Sequence, residues 1–379
     1  MSDTPAAELP DFIDLPQIDD LRSLFLNDIP MLDVRAPVEF EQGAFPHTDN
    51  VPLMNDQERE AIGICYKEHG QAEAITLGAQ LIKDEIKEQR VDRWVEFVQQ
   101  HPEGILYCFR GGMRSKISQQ WIYERTGIVY PRVKGGYKAM RRFLIDELES
   151  SATKIKPMIL SGRTGTGKTV FLQEIKQMID LEGIYHHRGS VFGKHVTPQP
   201  TQIAIENQLS IELMKHLNQG DQHLLLEDES GNIGSRQIPD TLFATMKAAP
   251  VVVLETDIDT RIQITYDEYV TEALAEHQAY YGEEQGFTVW AQQQQDSLDR
   301  IQKRLGGVRY KELKSLLSMA IEQQSTGDTT AYKEWIQTLL VDYYDPMYDY
   351  QLSKKQERVV FKGSEDEVRD YLLQKYQID

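Results

Sequence analysis

Residues 162–169 read Gly-Arg-Thr-Gly-Thr-Gly-Lys-Thr, a complete phosphate-binding P-loop, directly after an apolar run at 158–160. Such a loop needs a buried strand to deliver it and a helix to leave it, because its backbone amides must converge on one anion. The chain is thereby held to an α/β domain with a parallel sheet. Gly162, Gly165 and Gly167 admit phosphate oxygens, with Arg163, Thr164 and Thr166 between them. Lys168 is expected to reach a terminal phosphate and the Thr169 hydroxyl to ligate magnesium. The helix, read over 170–178, adds its positive end.

A second anion-sized loop lies upstream: Cys108-Phe109-Arg110-Gly111-Gly112-Met113-Arg114-Ser115. It follows an apolar strand at 105–108 and precedes a helix from Ser115 to about Arg125. Amides of residues 109–113, with Arg110 and Arg114 nearby, are expected to favour the thiolate, so Cys108 is the candidate nucleophile. The other cysteine, Cys65, reads as a packed small hydrophobe rather than a resolving thiol. Two cysteines exclude a disulfide framework and a thiolate-only metal site. A P-loop and a poised cysteine in one chain point to group transfer with a covalent cysteine step and a phosphorylated co-substrate.

The 379 residues divide at a polar stretch, 149–156, into an expected α/β domain over 1–148 and a P-loop α/β domain over 149–379. In the first, 30–34 reads as a strand ended by Pro37, 76–100 as a helix, 133–136 as a strand-turn unit and 137–148 as a helix. In the second, 224–226 and 251–254 read as buried strands, and a helical extension starts near 272. The stretch 342–348, Asp-Tyr-Tyr-Asp-Pro-Met-Tyr, reads as an aromatic turn. Residues 1–20 are acidic and lack a signal-peptide pattern, and no apolar run is long enough to span a bilayer. The expectation is a cytoplasmic protein without a membrane partner.

His223-Leu224-Leu225-Leu226-Glu227-Asp228-Glu229 is an apolar strand ending in acids, as a magnesium-side strand requires. Glu227 and Asp228 both remain open for that role, as does capping of the next element. In 186–193, His-His-Arg-Gly-Ser-Val-Phe-Gly, Arg188 and the glycines suit an anion; a metal is the weaker reading, since adjacent histidines point apart. Arg236 and Arg261 are candidates to bring positive charge to a phosphate, although each taken alone reads as a surface ion-pair residue. The formal net charge of -19 argues against indiscriminate binding to a phosphate backbone and leaves only local basic patches.

Residues 15–145 resemble the rhodanese fold, whose cysteine carries sulfur as a persulfide. The matching residues are Leu32-Asp33-Val34-Arg35 with Glu39-Phe40, Gly43-Ala44 with Asn50-Val51-Pro52, the Cys108 loop, and Gly135-Gly136-Tyr137. Many sulfur-transferring rhodaneses place the arginine one position closer to the cysteine than Arg114 is. The C-x5-R spacing equals that of dual-specificity phosphatases of the same fold and suits a bulkier tetrahedral anion. Across nearly its whole length the chain resembles the bacterial tRNA 2-selenouridine synthases, a rhodanese domain fused to a P-loop domain. Further matches are Pro52-Leu53-Met54-Asn55, Val133-Lys134-Gly135-Gly136-Tyr137-Lys138, His187-Arg188-Gly189-Ser190 and Tyr343-Tyr344-Asp345-Pro346-Met347-Tyr348.

The resemblance implies replacement of sulfur by selenium in 2-thiouridine at the tRNA wobble position, with selenophosphate as donor and an S-geranylated intermediate made from geranyl diphosphate. Cys108 and its loop would serve the selenium step, and the P-loop would hold the diphosphate, a nucleotide, or both. Base extrusion is expected, with Tyr137, Phe192 or Tyr344 as stacking candidates. Lys134, Lys138, Arg141 and Arg142 are the candidates for RNA backbone contact. The competing readings are a P-loop kinase or NTPase with a regulatory rhodanese module, and a phosphatase-like cysteine enzyme.

Overall fold

The computed structural model describes residues 12–324 and 327–378; the acidic stretch 1–11 lies outside them. The chain divides into two compact units, Met1–Leu148 with Thr201–Lys215, and Glu149–Pro200 with His216–Asp379.

The first unit holds five parallel strands: β1 (Gln17–Ile18), β2 (Met31–Asp33), β3 (Thr48–Asn50), β4 (Ile105–Tyr107) and β5 (Arg132–Val133), in the order β1-β5-β4-β2-β3. Every residue of β2 and β4 is buried, which explains the unbroken apolar runs: both sheet faces are covered. One face packs Leu32, Val34 and Leu106 against Trp94, Phe97 and Val98. The other packs Phe25, Phe45 and Tyr107 against Met140, Leu144, Ile211 and Met214.

Ile211 and Met214 correct the expected division of the chain. Residues 202–215 make up most of the helix Gln202–Gln219, and 201–215 cluster with the first unit, not with the P-loop unit around them in sequence. Asn207 Nδ2 donates to Ala44 O at 2.8 Å and Ser210 Oγ to Leu144 O at 2.8 Å, fixing the helix by buried polar bonds as well as by its apolar face. The expected linker is also absent, since 149–154 belong to the helix Gly136–Lys154, with Ser151 and Ala152 buried. The single helix expected over 76–100 is two, Gln71–Leu81 and Asp84–Gln100, separated where Asp84 takes a positive φ of 49°.

The second unit is built on β6 (Lys156–Ser161), β7 (Met178–Ile179), β8 (His223–Glu227), a small antiparallel pair β9 (Asn232–Ile233) and β10 (Arg236–Gln237), β11 (Val251–Leu254) and β12 (Val359–Gly363). The main sheet is parallel, in the order β12-β11-β6-β8-β7. β12 interrupts the C-terminal region expected to be helical; its alternating burial suits an edge strand on β11. The P-loop helix is only Lys168–Gln173, after which the chain turns so that β7 can pair with β8. The helical part begins at Ile258 and has its own core around Phe192, Trp290, Leu313 and Trp335. The aromatic stretch is helical too: Leu340–Tyr344 is a π-helix that runs into the helix Asp345–Ser353. Pro346 lies in the first turn of that helix, where its missing N–H disrupts no bond. Among the described residues no helix is long and apolar enough to cross a membrane.

Candidate functional site

β6, the middle strand of its sheet, delivers the P-loop. Gly165 and Gly167 take φ of 78° and 81°, so both need glycine. A Cβ on Gly165 would also lie 2.4 Å from Thr265 Oγ1 and 2.6 Å from Arg261 O. Arg261 is not a surface residue. It is buried, donates from Nε to Thr164 O at 3.0 Å, and forms a bidentate pair with Asp345 at 3.0 and 2.6 Å. Thr166 is tied to Arg163 O at 2.9 Å, and Arg163 pairs with Asp349 at 2.8 Å. Lys168 Nζ donates to Gly162 O at 3.0 Å, which keeps the ammonium across the loop. A cavity of about 610 Å³ opens over these residues, and Arg188, Ser190, Asp228, Tyr269, Tyr344 and Tyr348 also line it.

Acids surround the lysine. Glu182 Oε2 accepts from Thr169 Oγ1 at 3.3 Å, and its other oxygen accepts from Gly189 N at 2.7 Å. Glu227 is buried at the end of β8 and accepts from Glu182 N at 3.1 Å. Burial and the Glu182 charge push Glu229 up to about 8 and Glu268 up to about 7. Burial raises Glu182 as well, and burial with the Glu182 charge raises Glu227 well above the carboxylate range. Asp228 is used differently: it accepts from Ser161 Oγ at 2.5 Å and pairs with Lys355. Of the two acids left open by sequence, Asp228 is thus neutralised by a lysine, while Glu227 is turned to the Glu182 backbone. Glu182 is the acid on Thr169. Together Thr169 and Glu182 are the oxygen donors that fit a magnesium ion here. Sequence reading missed Glu182, Glu268 and Lys355, which carry no motif; Glu182 follows Thr169 by 13 residues, and the other two lie far from the P-loop in the chain.

Arg188 lies in the same cavity, with Glu276 at 3.7 Å on one nitrogen and no partner for its buried Nη1. His186, His195 and Glu276 bring one ligand atom each within 4.8 Å of the others. The imidazoles are stacked at 4.1 Å with only 15° between their planes. Lone pairs in near-parallel planes do not converge on one ion, and Arg188 adds a fixed positive charge, so this cluster is a poor metal site.

In the first unit, Cys108 follows β4 and is buried, its Sγ 3.2 Å from Ser115 Oγ. The loop from 109 to 112 closes against the Gly135-Gly136 turn. Tyr137 N donates to Cys108 O at 2.9 Å and Lys138 N to Phe109 O at 3.1 Å, while Arg132 Nη1 reaches Gly111 O at 2.9 Å. Gly136 has φ 58°, and a Cβ there would lie 2.2 Å from Cys108 O. Met113 begins the helix Met113–Thr126, with Gly112 as N-cap. Of the two arginines expected by the thiol, Arg114 is bound to Glu39 by two hydrogen bonds, at 2.5 and 3.1 Å. Burial pushes Glu39 up, but Arg114 outweighs it and holds the carboxyl below its usual range. Arg110 is exposed and, among the described residues, forms no ion pair.

The residues expected to contact RNA are largely engaged. Lys134 pairs with Asp19, Arg141 with Glu206 and Asn207, and Arg142 with Asp146, while Lys138 lies over the Phe109 ring. Tyr137 and Phe192 are buried core residues and not stacking platforms, and Tyr344, also buried, lines the P-loop cavity.

Fold and site define a P-loop α/β protein in a chain that also carries a braced cysteine loop on a second parallel sheet. The model of the tRNA 2-selenouridine synthase AAA domain matches residues 155–378. The chain is 50% identical to the tRNA 2-selenouridine synthase of Marinobacter nauticus, over 94% of this chain and 97% of that one. It is 47% identical to that of Sulfurovum sp., over 95% and 98%, and 49% identical to that of Shewanella halifaxensis, over 93% and 96%. The chain belongs to the tRNA 2-selenouridine synthase family and is an enzyme of this type.

Proposed function

We propose that this enzyme replaces sulfur by selenium in 2-thiouridine at the wobble position of tRNA, with selenophosphate as donor and S-geranyl-2-thiouridine as intermediate. The observation that carries the reading is an identity of about half sustained along nearly the whole chain to enzymes of that name. In this proposal the first unit is a rhodanese-like domain, a reading supported by its parallel sheet and by the cysteine loop at the end of β4.

The P-loop cavity holds geranyl diphosphate. P-loop amides and Lys168 grip the diphosphate, and Tyr269, Tyr344 and Met347, which also line the cavity, are the apolar surface offered to a prenyl chain. The thiouridine sulfur attacks C1 of the geranyl group; the C–O bond breaks and diphosphate leaves with its electron pair. Glu229, pushed up to about 8, and Glu268, pushed up to about 7, carry less negative charge at neutral pH than free carboxylates and so lessen the repulsion that this anion would otherwise meet. Magnesium, held by Thr169 and Glu182, would offset the charge of the diphosphate. Alkylation turns a thiocarbonyl sulfur into a better leaving group. The selenium of selenophosphate then adds at C2, the C–S bond breaks and geranyl thiolate departs, taking up a proton; water cleaves the remaining Se–P bond and releases phosphate. Cys108 and the amides around it serve this selenium step.

The two halves separate by mutation. Lys168→Ala should abolish geranylation, and retained geranylation would remove the diphosphate from the P-loop. Cys108→Ala should block selenation while geranylated tRNA accumulates; normal selenation by that variant would free Cys108 of its role.

A further inference from the structure

A second cavity, of about 850 Å³, shares Gly189, Ser190, Glu229, Ser230 and Arg304 with the P-loop cavity. The two are therefore parts of one groove within the second unit. Lys194, Arg236 and Arg300 line the added part, and Arg304 lies where the two cavities meet. Lys194, Arg300 and Arg304 are exposed, and among the described residues none of the four is in an ion pair. In a chain of net charge -19, where carboxylates outnumber lysines and arginines by 60 to 41, four such cations around one cavity make a local basic patch. His186, His187 and His195 also line this cavity, and the buried His187 Nδ1 has no partner. Glu229 is the one carboxylate among the lining residues, and its pKa near 8 leaves it mostly uncharged at neutral pH.

We infer that this groove carries the RNA strand next to the reacting nucleotide, its phosphates on Lys194, Arg300 and Arg304, so that the extruded base enters the P-loop cavity past Ser190 and Ser230. The inference rests on the proposed tRNA substrate and places its backbone contacts on the P-loop unit. Charge complementarity and continuity with the reacting cavity favour a polyanion here. By contrast, at Lys134, Arg141 and Arg142 a phosphate would first have to displace a carboxylate. The fit is to a single strand, because the groove offers separate cations around a cavity and not a flat duplex-wide face.

The test uses the full-length protein and a synthetic anticodon stem-loop RNA with 2-thiouridine at the wobble position. Binding is measured by fluorescence anisotropy across a salt titration. For the triple variant Lys194→Ala, Arg300→Ala, Arg304→Ala, the slope of log K against log salt should shrink by about 2 relative to wild type, at about 0.7 per lost single-strand contact. A matched variant, Lys134→Ala, Lys138→Ala, Arg142→Ala, should keep the wild-type slope. The reverse pattern would overturn the inference, as would tighter retention of a polyglutamate peptide than of RNA by the wild-type groove. Nucleoside mass spectrometry on the wild type separates the two failures: selenation with an unchanged slope in the groove variant removes the groove alone, and RNA binding without selenation removes the proposed reaction alone. The three groove residues are exposed, and an unchanged melting curve confirms that the variant is folded.

Discussion

Glu229 and Lys168 line one anion site, and the protonation of Glu229 decides how much negative charge that site carries. Burial and the Glu182 charge push Glu229 up to about 8, above its ordinary value of 4.5. The native state therefore binds the extra proton, and this group's contribution to stability is full below about 4.5 and declines as pH rises to about 8. Glu229→Gln should flatten that decline, seen as a smaller drop in Tm across the window; an unchanged pH profile would show that the carboxyl is not buried as described. The same ionisation predicts that wild-type affinity for inorganic diphosphate falls through the window, and that the Gln variant loses less. Elsewhere in the chain, Asp33 and Arg35 form a buried pair at 2.7 Å, with Arg35 also over the Tyr137 ring at 3.9 Å. Arg35→Met leaves a buried acid without its partner and should cost about 3–5 kcal/mol in urea unfolding. A loss below about 1 kcal/mol would mean that water reaches Asp33.

The elements that hold the sites are short, and turns set their aim. Gly136 is the clearest case: its φ of 58° and its approach to Cys108 O leave no room for a side chain. Gly136→Ala should destabilise the first unit by more than about 1 kcal/mol and impair selenation before geranylation. Wild-type stability and selenation in that variant would show that the turn does not position the cysteine loop. The strands that were legible in sequence, β2, β4, β6, β8 and β11, are continuous apolar runs buried on both faces. β7 and β12 were not, because two residues or an alternating edge strand give no such run. The P-loop and the cysteine loop were legible because glycine and chain order specify them. Glu182, Glu268 and Lys355 were not, since only the folded chain brings them to Thr169, Lys168 and Asp228. Pro346 misled in the other direction: it looks like a turn signal and occupies a first helical turn.

At the level of the whole molecule, chain order and packing disagree over residues 201–215. Ile211 and Met214 are almost wholly buried in the core of the first unit. A fragment ending at Leu148 therefore lacks part of its own core and should melt well below the full chain, with partial recovery when a 201–219 peptide is added. Equal melting of the fragment alone, followed by circular dichroism, would contradict the division. The central claim, that one chain alkylates and then selenates the wobble thiouridine, is tested most directly by incubating the purified full-length enzyme with thiolated tRNA, geranyl diphosphate and selenophosphate and reading the nucleosides by mass spectrometry. The account predicts a selenium-for-sulfur mass shift, and a geranylated nucleoside when selenophosphate is left out. An unchanged 2-thiouridine peak from folded enzyme under both conditions would contradict it.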